Sequence, residues 1–84
     1  MHITRELLRS YLKNNFNLNI QEIDDTTKLF SEGLLDSFSV ADLLLFIEDE
    51  GNFVVEPEEV TYDNLDTIAS ILDYTKKKCE SVSG

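Results

Sequence analysis

Gly33-Leu34-Leu35-Asp36-Ser37-Phe38 decides how the chain is read. Glycine enters left-handed conformations that other residues avoid, so Gly33 relaxes the backbone just before the run. Asp36 stands directly before an apolar-rich segment. A short acceptor side chain in that place caps the free N–H groups at the start of a helix. Ser37 then falls in the first helical turn, with its hydroxyl expected to point outward beside backbone donors that have no partner inside the helix. The positive end of the helix dipole favours a phosphate attached there. Read alone, an Asp-Ser pair before a helix is more often a cap and nothing else.

The chain has 84 residues, enough for one domain and one small core. Apolar residues make up 42%, ordinary for a globular domain. Seven basic residues against 17 acidic ones leave a formal charge of −10. Such a surface repels phosphates, which argues against nucleic acid. It favours partners with basic patches, drawn in by electrostatic steering, although solubility alone also accounts for it. A single cysteine, Cys79, excludes an internal disulfide and a cysteine-rich zinc site. It lies in a polar stretch, and no chemistry is assigned to it. The N-terminus lacks the apolar run of a signal peptide, and no segment approaches the roughly 18 apolar residues of a membrane span. The expectation is a cytoplasmic protein. His2, alone near the terminus, reads as a solvated residue.

The run from Gly33 to Phe38 resembles the phosphopantetheine attachment site of acyl carrier proteins, Gly-x-x-Asp-Ser-Leu at the head of the second helix, with Phe38 where leucine is usual. The resemblance continues through acidic Glu48, Asp49 and Glu50. It resumes in Val55-Glu56-Pro57-Glu58-Glu59-Val60-Thr61 and in Asp66-Thr67-Ile68-Ala69-Ser70-Ile71-Leu72-Asp73-Tyr74, so it covers most of the chain. It implies an all-α fold, a small four-helix bundle with a long first loop and a short third helix. It also implies a carrier, not an enzyme, with 4'-phosphopantetheine from coenzyme A attached to Ser37 and Asp36 acting in capping and transferase recognition.

Taken in order, Ile3, Leu7, Leu8, Tyr11 and Leu12 fall at helical spacing, with Arg5, Glu6, Arg9 and Lys13 on the other face. They predict a helix over Thr4 to Asn14. Phe16, Leu18 and Ile20 alternate with asparagines, a strand signature. No comparable strand follows to pair with it. The resemblance makes this stretch the end of the first helix and the start of the long loop. Ile23, Leu29 and Phe30 would pin that loop to the core, and Asp25-Thr26-Thr27-Lys28 could cap a short helical turn. A calcium loop of the EF-hand kind fails. Counting from Asp25 puts Leu29 and Phe30, and counting from Glu48 puts Phe53, where a ligand or the invariant glycine is required.

The second helix is expected over Ser37 to Glu50. At roughly 100° per residue, its apolar residues cover most of the circumference, and Ser39, Asp42, Asp49 and Glu50 share one polar wedge. Phe46 falls inside that wedge and is expected to be at least partly exposed; its alternative is burial under the loop before Asp36 or the Tyr62 turn. The partner-facing residues implied are Phe38, Asp42, Leu45, Phe46, Glu48, Asp49 and Glu50. Gly51-Asn52 is a stop signal. Gly51 lies near a position where the family usually has an aromatic residue, and Phe53 is the candidate to supply it. Glu56, before Pro57, is biased to extended backbone. Thr61 can cap a short turn over Tyr62-Asp63-Asn64, and Asp66 or Thr67 the last helix. Ile68, Ile71, Leu72, Tyr74 and Thr75 mark that helix's inner face. Lys76, Lys77 and Lys78 suit its C-terminal dipole. One domain over 1–84 is expected, folded to about residue 78, with 79–84 a frayed tail.

No nucleophile–base pair, metal cluster or glycine-rich phosphate loop is visible. Ser37 has no base, so a phosphopantetheinyl transferase must modify it. The other partners implied are an acyl- or aminoacyl-loading enzyme and a downstream synthase or transferase, with no nucleic acid, no membrane span and a monomeric carrier. The preferred pathway reading is a discrete carrier of specialised polyketide or nonribosomal peptide type, carrying an acyl or aminoacyl thioester. A fatty-acid synthesis carrier or a D-alanyl carrier is the alternative, and an unmodified acidic adaptor stands behind both.

Overall fold

The computed structural model describes the backbone of residues 3–83 and the side chains of residues 3–36 and 38–79. His2 and the Ser37 hydroxyl lie outside the described residues. The chain folds as an all-α four-helix bundle of α1 (Arg5–Phe16), α2 (Ser37–Gly51), α3 (Tyr62–Leu65) and α4 (Ile68–Ser83). Single 3-10 turns form at Ile20–Glu22 and Pro57–Glu59. The long first loop and the short third helix are both present.

In α1, the Thr4 hydroxyl accepts a hydrogen bond from Leu7 N–H at 3.1 Å, and Leu8 and Leu12 are buried. The helix runs past the expected end at Asn14 and stops at Asn17, whose left-handed backbone (φ 56°) breaks the repeat. That turn also cancels the strand-like alternation, because the Asn19 carboxamide then caps the 3-10 turn at Ile20. Arg9, expected on the solvent face, instead donates to the carbonyls of Ile20 and Ile23 at 2.6 and 3.0 Å, tying the loop to α1.

Helix α4 is the hub, in contact with α1, α2 and α3. Ile68, Ile71, Tyr74, Thr75 and Cys79 are buried along it. Helix continues to Ser83, past the expected end near residue 78. Cys79 is a core residue, with its sulfur 3.6 Å from the Gly51 carbonyl oxygen, so the helix is held beyond the lysines. Those lysines therefore do not sit on the terminal turn. Lys77 pairs with Asp73 at 3.0 Å and Lys78 with Glu59 at 3.1 Å.

Helix α2 buries Leu43 and Ile47 completely and ends one residue beyond Glu50. Asn52 takes the left-handed cap conformation (φ 58°). Gly51 serves a different purpose. The Phe53 ring folds back over it, and a Cβ there would run into the ring. The aromatic residue expected near this position is thus supplied by Phe53, itself buried.

Candidate functional site

The segment before Asp36 closes into a ring. Leu35 N–H donates to the Leu29 carbonyl at 2.8 Å, and Gly33 N–H to the Phe30 carbonyl at 3.1 Å, with Gly33 at φ 79°. Leu29 and Leu35 are buried and plug the ring into the core. Gly33 is required here because a Cβ disfavours this backbone conformation, although the space around it is open.

Asp66 holds the ring from outside. One carboxylate oxygen accepts from Phe30 N–H at 2.8 Å and Ser31 N–H at 3.0 Å. The other accepts from the Ser31 hydroxyl at 2.5 Å. The Asp66 carbonyl accepts from Leu29 N–H at 2.6 Å. Burial pushes the Asp66 carboxyl up, but the Ser31 hydroxyl and the two amides outweigh it and keep its pKa below the usual value. The cap of α4 falls to Thr67, whose hydroxyl accepts from Ser70 N–H at 3.0 Å. Upstream, the expected capping by Asp25 is corrected. Asp24 takes the Thr26 N–H and the Thr26 and Thr27 hydroxyls, and residues 29–33 form turns, not helix. Asp25 pairs with Arg5 at 2.8 Å instead, while its carbonyl accepts from Ala69 N–H.

From this ring the chain enters α2 through Asp36. Its extended backbone (ψ 178°) turns one oxygen onto Ser39 N–H at 2.9 Å, and the Ser39 hydroxyl donates to the same oxygen at 3.0 Å. These two bonds, backbone first, hold the Asp36 carboxyl below its usual pKa, so the cap stays ionised at neutral pH. Ser37 is the first helical residue. A phosphodiester suits this place, because the first-turn donors and the dipole favour an anion. Beside it in the chain, Phe38 is 85% exposed; Leu45 further along α2 is 65% exposed, and Leu34 and Tyr62 are also exposed. An apolar cleft lies nearby, lined by Phe30, Val40, Val60, Thr61, Tyr62 and Leu65.

The remaining partner-facing candidates divide. Asp42 and Asp49 are exposed and Glu50 is half-buried. Phe46, expected to be at least partly exposed, is half-buried. It stacks on Tyr11 of α1 with ring centroids 3.9 Å apart, so its cover comes from α1 and not from the loop before Asp36 or the Tyr62 turn. Tyr11 in turn meets Phe16 edge-on at 5.4 Å. Burial pushes the Tyr11 hydroxyl up, and Asp42 adds to it. Glu48 is also turned inward, accepting from Val55 N–H at 2.8 Å. The sequence reading missed the Asp66–Ser31 contact and the cluster around Glu59, which accepts from Tyr74, Lys78 and Glu56 N–H. Pro57 with Glu59 two residues on was the available sign of the latter, since Glu56 and Glu59 form a capping box.

Among the described residues, no group of three or more histidine, cysteine or acidic side chains is placed to hold a metal. None of their helices is long and apolar enough to cross a membrane. Residues 6–75 match the family described as phosphopantetheine attachment site. A D-alanyl carrier protein of Abiotrophia defectiva is 40% identical over 50 residues, 60% of this chain and 63% of that protein. The chain thus spans under two thirds of that relative. The family match runs through the ring, the capped start of α2 and the first half of α4, and the chain belongs to the phosphopantetheine attachment site family of carrier domains, which are not enzymes and bear a covalent 4'-phosphopantetheine arm.

Proposed function

We propose that Ser37 is the attachment residue and that the chain carries an aminoacyl group, D-alanyl foremost, between the enzymes of a biosynthetic pathway. The observation that carries the attachment reading is the Asp36 cap, which fixes Ser37 as the first residue of α2 beside an exposed apolar rim. The likeness to a D-alanyl carrier protein supports the aminoacyl cargo over the polyketide or peptide type. A fatty-acid role fits less well. Ser39, where those carriers usually have an acid, spends its hydroxyl on Asp36.

The arm's thiol supplies the thioester linkage. This chain's part is to present and to position. The Ser37 oxygen displaces the nucleotide portion of coenzyme A, and its proton passes to the transferase. Asp36 holds the helix start still during that approach. Phe38 and Leu45 offer an apolar contact, and Asp42 and Asp49 steer partners with basic surfaces, giving fast, salt-sensitive and short-lived encounters. The partners proposed are the transferase, an aminoacyl-loading enzyme and a downstream acceptor enzyme.

Intact mass tests both parts. With coenzyme A and a broad-specificity transferase, the parent gains one phosphopantetheine and Ser37→Ala gains none. Loading of the modified chain with D-alanine by a D-alanine-activating ligase, in preference to malonyl or acetyl transfer, supports the cargo. Efficient loading only by acyl transferases overturns it.

A further inference from the structure

Asp66 lies 35 and 36 positions away from the loop residues its carboxylate binds, yet it takes all three of the donors that Phe30 and Ser31 offer it. With its carbonyl on Leu29 N–H, it fixes the base of the ring. The ring's neck is the Leu35–Leu29 bond, and Asp36 follows directly. Among the described residues, no other carboxylate binds this loop except Asp24, which serves its own turn. The ring before α2 is therefore tied to the α3–α4 junction by the Asp66 carboxylate and carbonyl, and the loop upstream to α4 by the Asp25 carbonyl on Ala69 N–H. We propose that Asp66 is a positioning residue for modification of Ser37: it holds the Leu29–Leu35 ring so that Asp36 and Ser37 meet the transferase in one fixed arrangement. This rests on Ser37 being the attachment residue.

Geometry and rate are linked here because a small displacement of a reacting oxygen lowers reactivity steeply. The carboxylate's hydrogen bonds run to Phe30 and Ser31, so its proposed influence on Ser37 runs through the ring. Asn in its place retains one oxygen that can accept from the Phe30 and Ser31 amides, and the Ser31 hydroxyl can accept from its new NH₂ group.

The test measures kcat and KM for phosphopantetheine transfer to the full chain by mass, alongside amide hydrogen exchange. Asp66→Ala is expected to lower kcat/KM by roughly tenfold and to speed exchange at Leu35 and Ser39. Asp66→Asn is expected to restore most of both. Phe53→Leu, a destabilising change at the opposite end of α2, is compared at the same distance below its melting point and is expected to react like the parent. Faster Leu35 exchange in Asp66→Ala with the parent's kcat/KM overturns the inference. So does an equal loss of kcat/KM in Phe53→Leu, which would make the effect one of general stability. If Asp66→Ala does not fold, Ser31→Ala removes a single bond. A reduced kcat/KM with faster exchange then supports the anchor, and an unchanged kcat/KM with faster exchange overturns it. A mass gain that survives Ser37→Ala would instead defeat the attachment reading, an outcome that Asp66 variants do not affect.

Discussion

The two ends of α2 are built in opposite ways. At its start, one carboxylate satisfies the backbone and the large side chains face water, with Phe38 85% exposed. At its finish, Phe53 closes over Gly51, Cys79 comes up from α4, and Glu48 reaches forward to Val55 N–H. The first end is held through its backbone and leaves its side chains available. The second end uses its side chains to hold itself. A helix that must be grasped by successive enzymes without unravelling needs this division, because apolar residues kept for partners do not stabilise the free fold.

Removing each end's aromatic should separate stability from function. Phe53→Ala opens a cavity beside Gly51 and should lower unfolding stability by about 3–5 kcal/mol, read by urea denaturation. Phe46→Ala, midway between the ends and half-buried on Tyr11, should cost roughly 2 kcal/mol in the same experiment. A negligible loss would return Phe46 to the partner-facing set. Glu59→Gln should have a smaller effect, visible through pH. The Glu59 carboxyl lies below its usual value, first through the Glu56 amide and then, against an opposing push from burial, through Lys78 and Tyr74. Between its lowered value and 4.5 the unfolded chain binds more protons, so the stabilisation is complete above pH 4.5 and is lost as pH falls through the folded value. The parent–variant gap should be widest at neutral pH and close in acid; a constant gap means the charge is not responsible. Smallest in stability, Phe38→Ser should shift unfolding by no more than about 0.5 kcal/mol while slowing transfer or loading. Loss of stability there would mean that the exposed end is not spare.

What the sequence made legible follows the range of each interaction. Asp36, Thr4 and Thr61 act on amides three residues away, and such caps can be read from a short window. The same window could not choose between Asp66 and Thr67 as a cap, because Asp66's partners are far along the chain. The wheel placed Phe46 correctly on α2's polar side, but it carries no information about Tyr11 across the helix interface. Glu48 was read as surface charge for a like reason: its partner is the loop after the helix has turned. The end of α4 was set too early because the lysines looked like a terminus, whereas one small buried sulfur beyond them decides the matter. Ionised side chains told most about local turns and least about tertiary ties.

The span between Asp66 and Phe30 also governs when the motif becomes a site. Helices of this length form in well under a millisecond by themselves, but closing a chain over tens of residues carries an entropic penalty that only later contacts offset. During synthesis the Asp-Ser pair leaves the ribosome well before Asp66. A nascent chain halted between them holds the proposed attachment segment without the Asp66 side chain that binds its loop. The order of the residues thus gives the carrier a natural delay, in which the proposed attachment segment is made first and fastened last.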